Sequence, residues 1–312
     1  MSTFLITFFS VGILLLSAVP GYLFIKCNLV KEDFIPGVSK ILVYVCQPAI
    51  AIYSFANVKF SFDVLWDMVL FSLLVVVLHV VVLVGVYFVF GGARKRAAWG
   101  IITVSSTFAN CTFFGIPIIE ALFPEIASGL IVYASIYSLI MNIIGWTVGA
   151  ALISGNTKYI SIKKVFLNPA TISTGVAFLI FLVGITIPDT LLSSITVMGK
   201  MATPLSMLVL GMRLACIDLK SIFCDKKLYF SMLIKQFLMP LVAFAIIFFI
   251  PMDAGIKASF YILAACPTAS VVLAFAEMLE SGQKSASGSI LLSTILSIVS
   301  LPIMVLLMTL IK

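Results

Sequence analysis

Apolar runs of membrane-crossing length recur from one end of this chain to the other, and nothing else in it constrains the fold as much. A helical crossing takes about 20 predominantly apolar residues. By that measure the sequence holds ten, at roughly 4–25, 34–56, 64–90, 97–122, 125–153, 166–187, 191–215, 228–250, 255–279 and 287–311. Hydrocarbon satisfies no backbone polar group, so such runs fold as helices. The reading is an all-α, multi-pass protein integral to the cell membrane, with the lipid bilayer as its first partner. Charged residues make up 10% of the chain, against about 25% in soluble domains. The net charge of +7 does not mark a nucleic-acid binder, because the basic residues lie between apolar runs and form no stripe with aromatic residues. The first run has no positively charged stretch before Phe4, so a retained helix is expected there and not a cleaved signal.

Lys and Arg gather on the cytoplasmic side of membrane proteins. Connections after the odd-numbered runs hold thirteen: Lys26, Lys31, Arg94, Lys95, Arg96, Lys158, Lys163, Lys164, Arg213, Lys220, Lys226, Lys227 and Lys284. Even-numbered connections and the chain ends hold Lys59, Lys257 and Lys312, so both termini are expected outside. Five crossings per half would invert the second half relative to the first. Pro48 answers to Pro204 after 156 residues, and Pro117 to Pro267 after 150. The expected organisation is a first five-helix repeat over 1–153, a short cytoplasmic connection over 154–165 and a second repeat over 166–312. Interrupted helices at matching places in inverted halves point to a transporter site near the midplane.

The stretch Ala109 to Pro117 places polar groups, a glycine and a proline inside the fourth run. Pro117 is expected to free the carbonyl of Phe113, and Gly115 to let the backbone bend beside it. A broken backbone at membrane depth persists only where protein or a water-filled cavity covers it. Asn110 could donate its amide to a carboxylate. After Pro267 in the ninth run, Thr268 and Ser270 would sit where a restarting half-helix offers N–H groups and a positive dipole end to an anion. Asn110, Gly115, Pro117, Pro267, Thr268 and Ser270 are therefore the candidate substrate-binding set, against the alternative that small polar residues merely join helices.

Further candidates are ionisable or polar groups at depth. His79, the single histidine, is open to a proton-responsive role or to a neutral, hydrogen-bonded one. Glu120 could face a cavity or the outer surface, and Asp67 and Glu277 stand near span ends. Lys235 is expected to snorkel from the cytoplasmic end of the eighth run. Asn142, in the fifth, has no such escape. Gly145 and Gly149 form a GxxxG that allows close helix approach, and Asn168-Pro169 reads as a helix cap and first turn. The six cysteines form no CxxC pair and have no companion histidines. No metal site is read from them, and they are expected in helix interfaces.

These residues together resemble the auxin efflux carriers, the plant carriers and their bacterial relatives known as malate or malonate permeases. The resemblance runs nearly end to end. It rests on Gly21-Tyr22, Leu29, Ser39-Lys40 and Gln47-Pro48-Ala49; on Asn110, Gly115 and Pro117 at N-x4-G-x-P spacing; on Leu167-Asn168-Pro169; and on Pro204-Leu205-Ser206, Leu210-Gly211-Met212, Cys266-Pro267, Leu292-Ser293-Thr294 and Pro302. It implies ten helices in two inverted repeats, of bile-acid-symporter-like architecture, with spans 4 and 9 broken and crossing at their prolines. Spans 1, 2, 6 and 7 would form a scaffold and spans 3–5 and 8–10 an elevator-type transport domain. Asn110 would hold the carboxylate, and His79 and Asn142 would stand near a polar support site behind the crossing. The long cytoplasmic loop of the plant carriers is replaced here by about a dozen residues from Ser154 to Val165.

The function expected is secondary transport of a small organic carboxylate, auxin-like or a dicarboxylate such as malate or malonate, by efflux or facilitated movement. No cofactor is expected, coupling to protons or sodium is left open, and a homodimer is allowed. The alternatives are a sodium- or proton-coupled organic anion importer and an anion-binding receptor or sensor. An enzyme is not expected, because no HExxH or paired nucleophile and base lies within the runs.

Overall fold

A computed structural model describes residues 2–89, 97–217 and 222–308. Of the basic residues counted for topology, Arg94, Lys95, Arg96, Lys220 and Lys312 lie outside the described residues. Apart from one isolated β-bridge, the regular structure there is helical. In chain order the helices are α1 (Thr3–Lys26), α2 (Glu32–Ala56), α3 (Phe62–Val89), α4 (Ala97–Ser105), α5 (Cys111–Leu122), α6 (Ala127–Ser154), α7 (Thr157–Leu167), α8 (Pro169–Val183), α9 (Asp189–Cys216), α10 (Lys226–Phe248), α11 (Ala254–Ala265), α12 (Val271–Met278) and α13 (Gln283–Met308). Seven of them, α1, α2, α3, α6, α9, α10 and α13, are long and apolar enough to cross a bilayer. An eighth candidate is α7 with α8, bent by 44°. The other four are shorter and come as two interrupted pairs, α4 with α5 and α11 with α12. The protein is an integral membrane helical protein. Asn168 caps α8 as expected, its Oδ1 accepting from the Ala170 N–H at 2.9 Å.

Prolines are absorbed in an unforeseen way. Leu42–Cys46, Cys111–Gly115 and Ile234–Leu238 are π-turns, and Pro48, Pro117 and Pro240 follow them in the next turn. The wider turn pairs an N–H with the carbonyl five residues back, as in Gln47 to Leu42 and Met239 to Ile234. This relieves the clash of the proline ring with the carbonyl four residues earlier. The break expected at Pro117 is accordingly not there. It lies upstream, where Ser106 Oγ donates to the Ile102 carbonyl at 2.7 Å and Thr107 Oγ1 to that of Val104 at 3.0 Å. Hydroxyls that bond back to the preceding turn compete with the helix and bend it. Pro267 does stand in its break, after α11 ends at Ala265.

Helices α1, α2, α8 and α9 pack on one another, with α1 also along α13. Within the rest, α4 packs on α6 and α13, and α11 on α6 and α10. Two glycines set the α1–α9 approach. A Cβ on Gly21 would lie 2.0 Å from the Leu208 carbonyl oxygen, and one on Gly211 1.8 Å from that of Ala18. The GxxxG in α6 also serves packing, with Gly145 against the Phe275 ring of α12. Cys46, Cys111 and Cys266 are buried as expected. Cys27, Cys216 and Cys224 are exposed, a correction to the interface reading, because they fall at or beyond helix ends.

Candidate functional site

The two breaks meet. Residues 108–110 and 267–269 run antiparallel, the Asn110 N–H donating to the Pro267 carbonyl at 2.7 Å and the Ala269 N–H to that of Phe108 at 2.9 Å. The crossing thus pairs Ala109 with Thr268, and not one proline with the other. Asn110 itself adopts φ −75°, ψ 61°, an inverse γ-turn closed by the Cys111 N–H on the Ala109 carbonyl at 2.8 Å.

Most backbone groups released by the breaks find partners inside the protein, as buried groups must. Thr268 Oγ1 donates to the Ser105 carbonyl at 2.9 Å, and the Thr268 N–H donates to Ser293 Oγ at 3.0 Å. The Ala264 carbonyl, near the C-terminal end of α11, accepts from Lys235 Nζ at 2.7 Å. This overturns the snorkelling expected of Lys235, which is fully buried. It stands nine residues into α10, about 13 Å along the axis, with its ammonium against Ala264 of α11. Its amino group meets the half-helix at the negative end of its dipole, where a positive charge is favoured. Gln236 beside it donates to the Ser293 carbonyl at 2.6 Å.

Four N–H groups remain unaccounted for. Those of Thr112 and Phe113, at the start of α5, and of Ser270 and Val271, at the start of α12, have no oxygen acceptor among the described residues, Thr112 reaching only the Cys111 thiol. All four residues line one cavity of about 170 Å³ beside the crossing, where 10–15 Å³ or so admits a single water. Asn110 and Asn142 line it too, with Gln47, Ser138 and Thr294. Asn142 Nδ2 donates to the Ser138 carbonyl at 2.9 Å, and Gln47 Nε2 to Ser138 Oγ at 3.2 Å. The Asn110 amide has no partner among the described residues. Beside Arg213, which also lines it, the cavity is rich in uncharged donors and lies at two helix N-termini, an arrangement that favours an anion.

Of the residues singled out from sequence, Asn110, Ser270 and Asn142 come together here. Gly115, Pro117, Pro267 and Thr268 do not line the cavity. Gly115 lets α5 approach α11, since a Cβ there would lie 2.6 Å from Leu263 Cδ2. His79 is fully buried behind the crossing, its ring 6.0 Å from that of Phe108 and 5.3 Å from that of Tyr137. Its Nδ1 bonds the Val75 carbonyl at 2.8 Å, and among the described residues neither its Nε2 nor the Tyr137 hydroxyl has a partner. Glu120 is half-buried elsewhere, within electrostatic reach of Lys200 and Tyr53. Sequence reasoning passed over Gln47, Ser138, Thr294 and Arg213 as cavity-lining groups. The signal for Lys235 was the pair Lys235-Gln236 in mid-run, before a proline.

A family model described as a membrane transport protein matches residues 6–305 of this chain. No curated protein matches it.

Proposed function

Because the chain belongs to the auxin efflux carrier family of membrane transport proteins, we propose that it is a secondary transporter that carries a small organic carboxylate through the cavity beside the two helix breaks. The observation that carries this reading is the convergence on one cavity of the Asn110 amide and four residues whose backbone N–H groups have no oxygen acceptor among the described residues. A carboxylate accepts such donors, and oriented amides at helix N-termini bind it without a fixed cation. Asn110 and Ser270 contact the anion directly, and Asn142 bounds its pocket. Gly115, Pro117, Pro267 and Thr268 hold the crossing that presents them.

In this reading each interrupted pair is one crossing, so the chain makes ten, in inverted repeats over 1–153 and 166–312 with both termini outside. The packing of α1 on α9, matched by that of α8 on α2, is the pair of contacts that such a duplication expects. Spans 1, 2, 6 and 7 form the scaffold against which the rest moves as an elevator. Lys235 acts as a resident cation behind the crossing, which favours a carrier that needs no sodium at that place. A cytoplasm-negative potential drives an anion outward by about 2.3 kcal/mol per charge per 100 mV, so facilitated efflux needs no coupling ion. The test is reconstitution in liposomes with labelled malate, malonate and indole-3-acetate under imposed potential, proton and sodium gradients. Potential-driven flux of at least one is expected, and failure of every anion to cross refutes the reading.

A further inference from the structure

Among the described residues one charged side chain lines the cavity, Arg213, in the last turn of α9. Its Nη1 donates to Glu277 Oε1 of α12 at 3.1 Å, with the two side chains 29% and 50% exposed. This is its one hydrogen bond among the described residues, whereas a guanidinium carries five N–H donors in a planar fork suited to a bidentate carboxylate. Helix α9 packs on α1, and α12 on α13, so the pair reaches from one packed group of helices to the other. The cavity lining thus holds two unlike groups for negative charge, the uncharged N–H donors by Asn110 and the guanidinium paired with Glu277.

We propose that Arg213 is the specificity-determining residue for a substrate with two acidic groups, such as a short-chain dicarboxylate. One carboxylate sits in the cradle beside Asn110, and the second takes Arg213 from Glu277. Resting on the anion-transport reading above, this names its substrate class. In the empty carrier Glu277 holds the guanidinium; on loading, the second carboxylate replaces it, and Glu277, half in water, is released to solvent. An exposed, singly bonded ion pair is weak enough to exchange in this way.

The experiment compares labelled succinate and butyrate, equal in chain length and different by one charge, in liposomes holding the full-length protein. Wild type is expected to show a KM for succinate well below that for butyrate. R213Q should raise the succinate KM on the order of tenfold to a hundredfold, the worth of a hydrogen bond to a charged group, and leave butyrate nearly unchanged. R213K, which keeps the charge without the fork, should fall between. E277Q, which frees the guanidinium, should lower the succinate KM alone. Melting and elution as a single species confirm that each variant folds, and should R213Q fail there, R213K and E277Q carry the test. Equal effects on both anions in these variants, or none on either, would overturn the proposal while leaving anion transport intact. If neither these anions nor the three above cross in wild type, the transport reading falls and this inference with it.

Discussion

Replacing Asn110 by alanine should separate binding from folding, because the two roles of this residue reside in different atoms. Its backbone makes the crossing, through the N–H to Pro267 at 2.7 Å and a carbonyl that accepts from Phe114 and Gly115 at 3.2 Å each. Alanine keeps all of these and tolerates the local φ of −75°. Its side chain faces the cavity with no protein partner to lose. Stability should therefore change by no more than about 0.5 kcal/mol, roughly 1–2 °C in melting temperature for a chain of this size. A carboxylate would lose one hydrogen bond to a charged group, about 1.5–3 kcal/mol, or roughly a tenfold to hundredfold rise in Kd. Thr268→Val supplies the opposite case. It removes the 2.9 Å bond to Ser105 and strands a buried carbonyl, at about 1–3 kcal/mol of stability, without touching a cavity-lining group. Thermal melting in detergent, with and without a saturating anion, reads both quantities. An Asn110→Ala protein that melts normally and binds the anion with unchanged affinity would refute the cradle, and one that melts far lower would refute the division of roles.

Gly211→Ala should part α1 from α9, since its Cβ would fall 1.8 Å from the Ala18 carbonyl oxygen. The expected loss is at or above the overpacking range of about 1–3 kcal/mol, while Gly12→Ala, with nothing within 4 Å, should melt like wild type. Lys235→Met should uncap the Ala264 carbonyl, at about 1–3 kcal/mol, and abolish transport, whereas Lys235→Gln, which retains a donor, should recover part of the stability. If Lys235 is the resident cation, wild-type flux should be equal in sodium and potassium media, and stimulation by sodium would refute that role.

What the sequence made legible, and what it did not, follows from the range of the forces involved. Hydropathy and local capping are short-range, so the run at 125–153 became α6, Ala127–Ser154, and Asn168 became a cap. The break in the fourth run depends on long-range geometry. Nothing near Pro117 indicates that a π-turn will absorb it, and the bridge of Ala109 to Thr268 sets its register across more than half the chain. Lys235 looked free to snorkel because its depth was judged from the run's edge, while its burial follows from the face of α10 that meets α11. Arg213 was read as a topology marker for the same reason. Position along a run is legible from composition, but direction around the helix axis at its last turn is not.

The distribution of bonds suggests where a carrier of this build can yield. The crossing is tied by two backbone bonds, by Thr268 to both Ser105 and Ser293, and by Lys235 to Ala264. Opening it would strand several buried groups at about 1–3 kcal/mol each, so α4, α5, α11 and α12 should move as a unit, together with α6, on which α4 and α11 pack. Between the proposed scaffold and that unit the side-chain bonds are lighter: Gln47 to Ser138, Ser54 to Ser135, and Arg213 to Glu277. Neutral pairs of this kind contribute about 0.5–1.5 kcal/mol each, and an exposed ion pair about 0–1 kcal/mol. The cavity lies across that lighter boundary, with Gln47 and Arg213 on one side and Asn110, Asn142 and Ser270 on the other. An anion seated there holds to the moving unit through backbone N–H groups that have no other oxygen acceptor among the described residues, and to the scaffold through a guanidinium that has one in Glu277. On translocation the second hold can be surrendered and the first cannot, so the anion should travel with the crossing while Arg213 returns to Glu277.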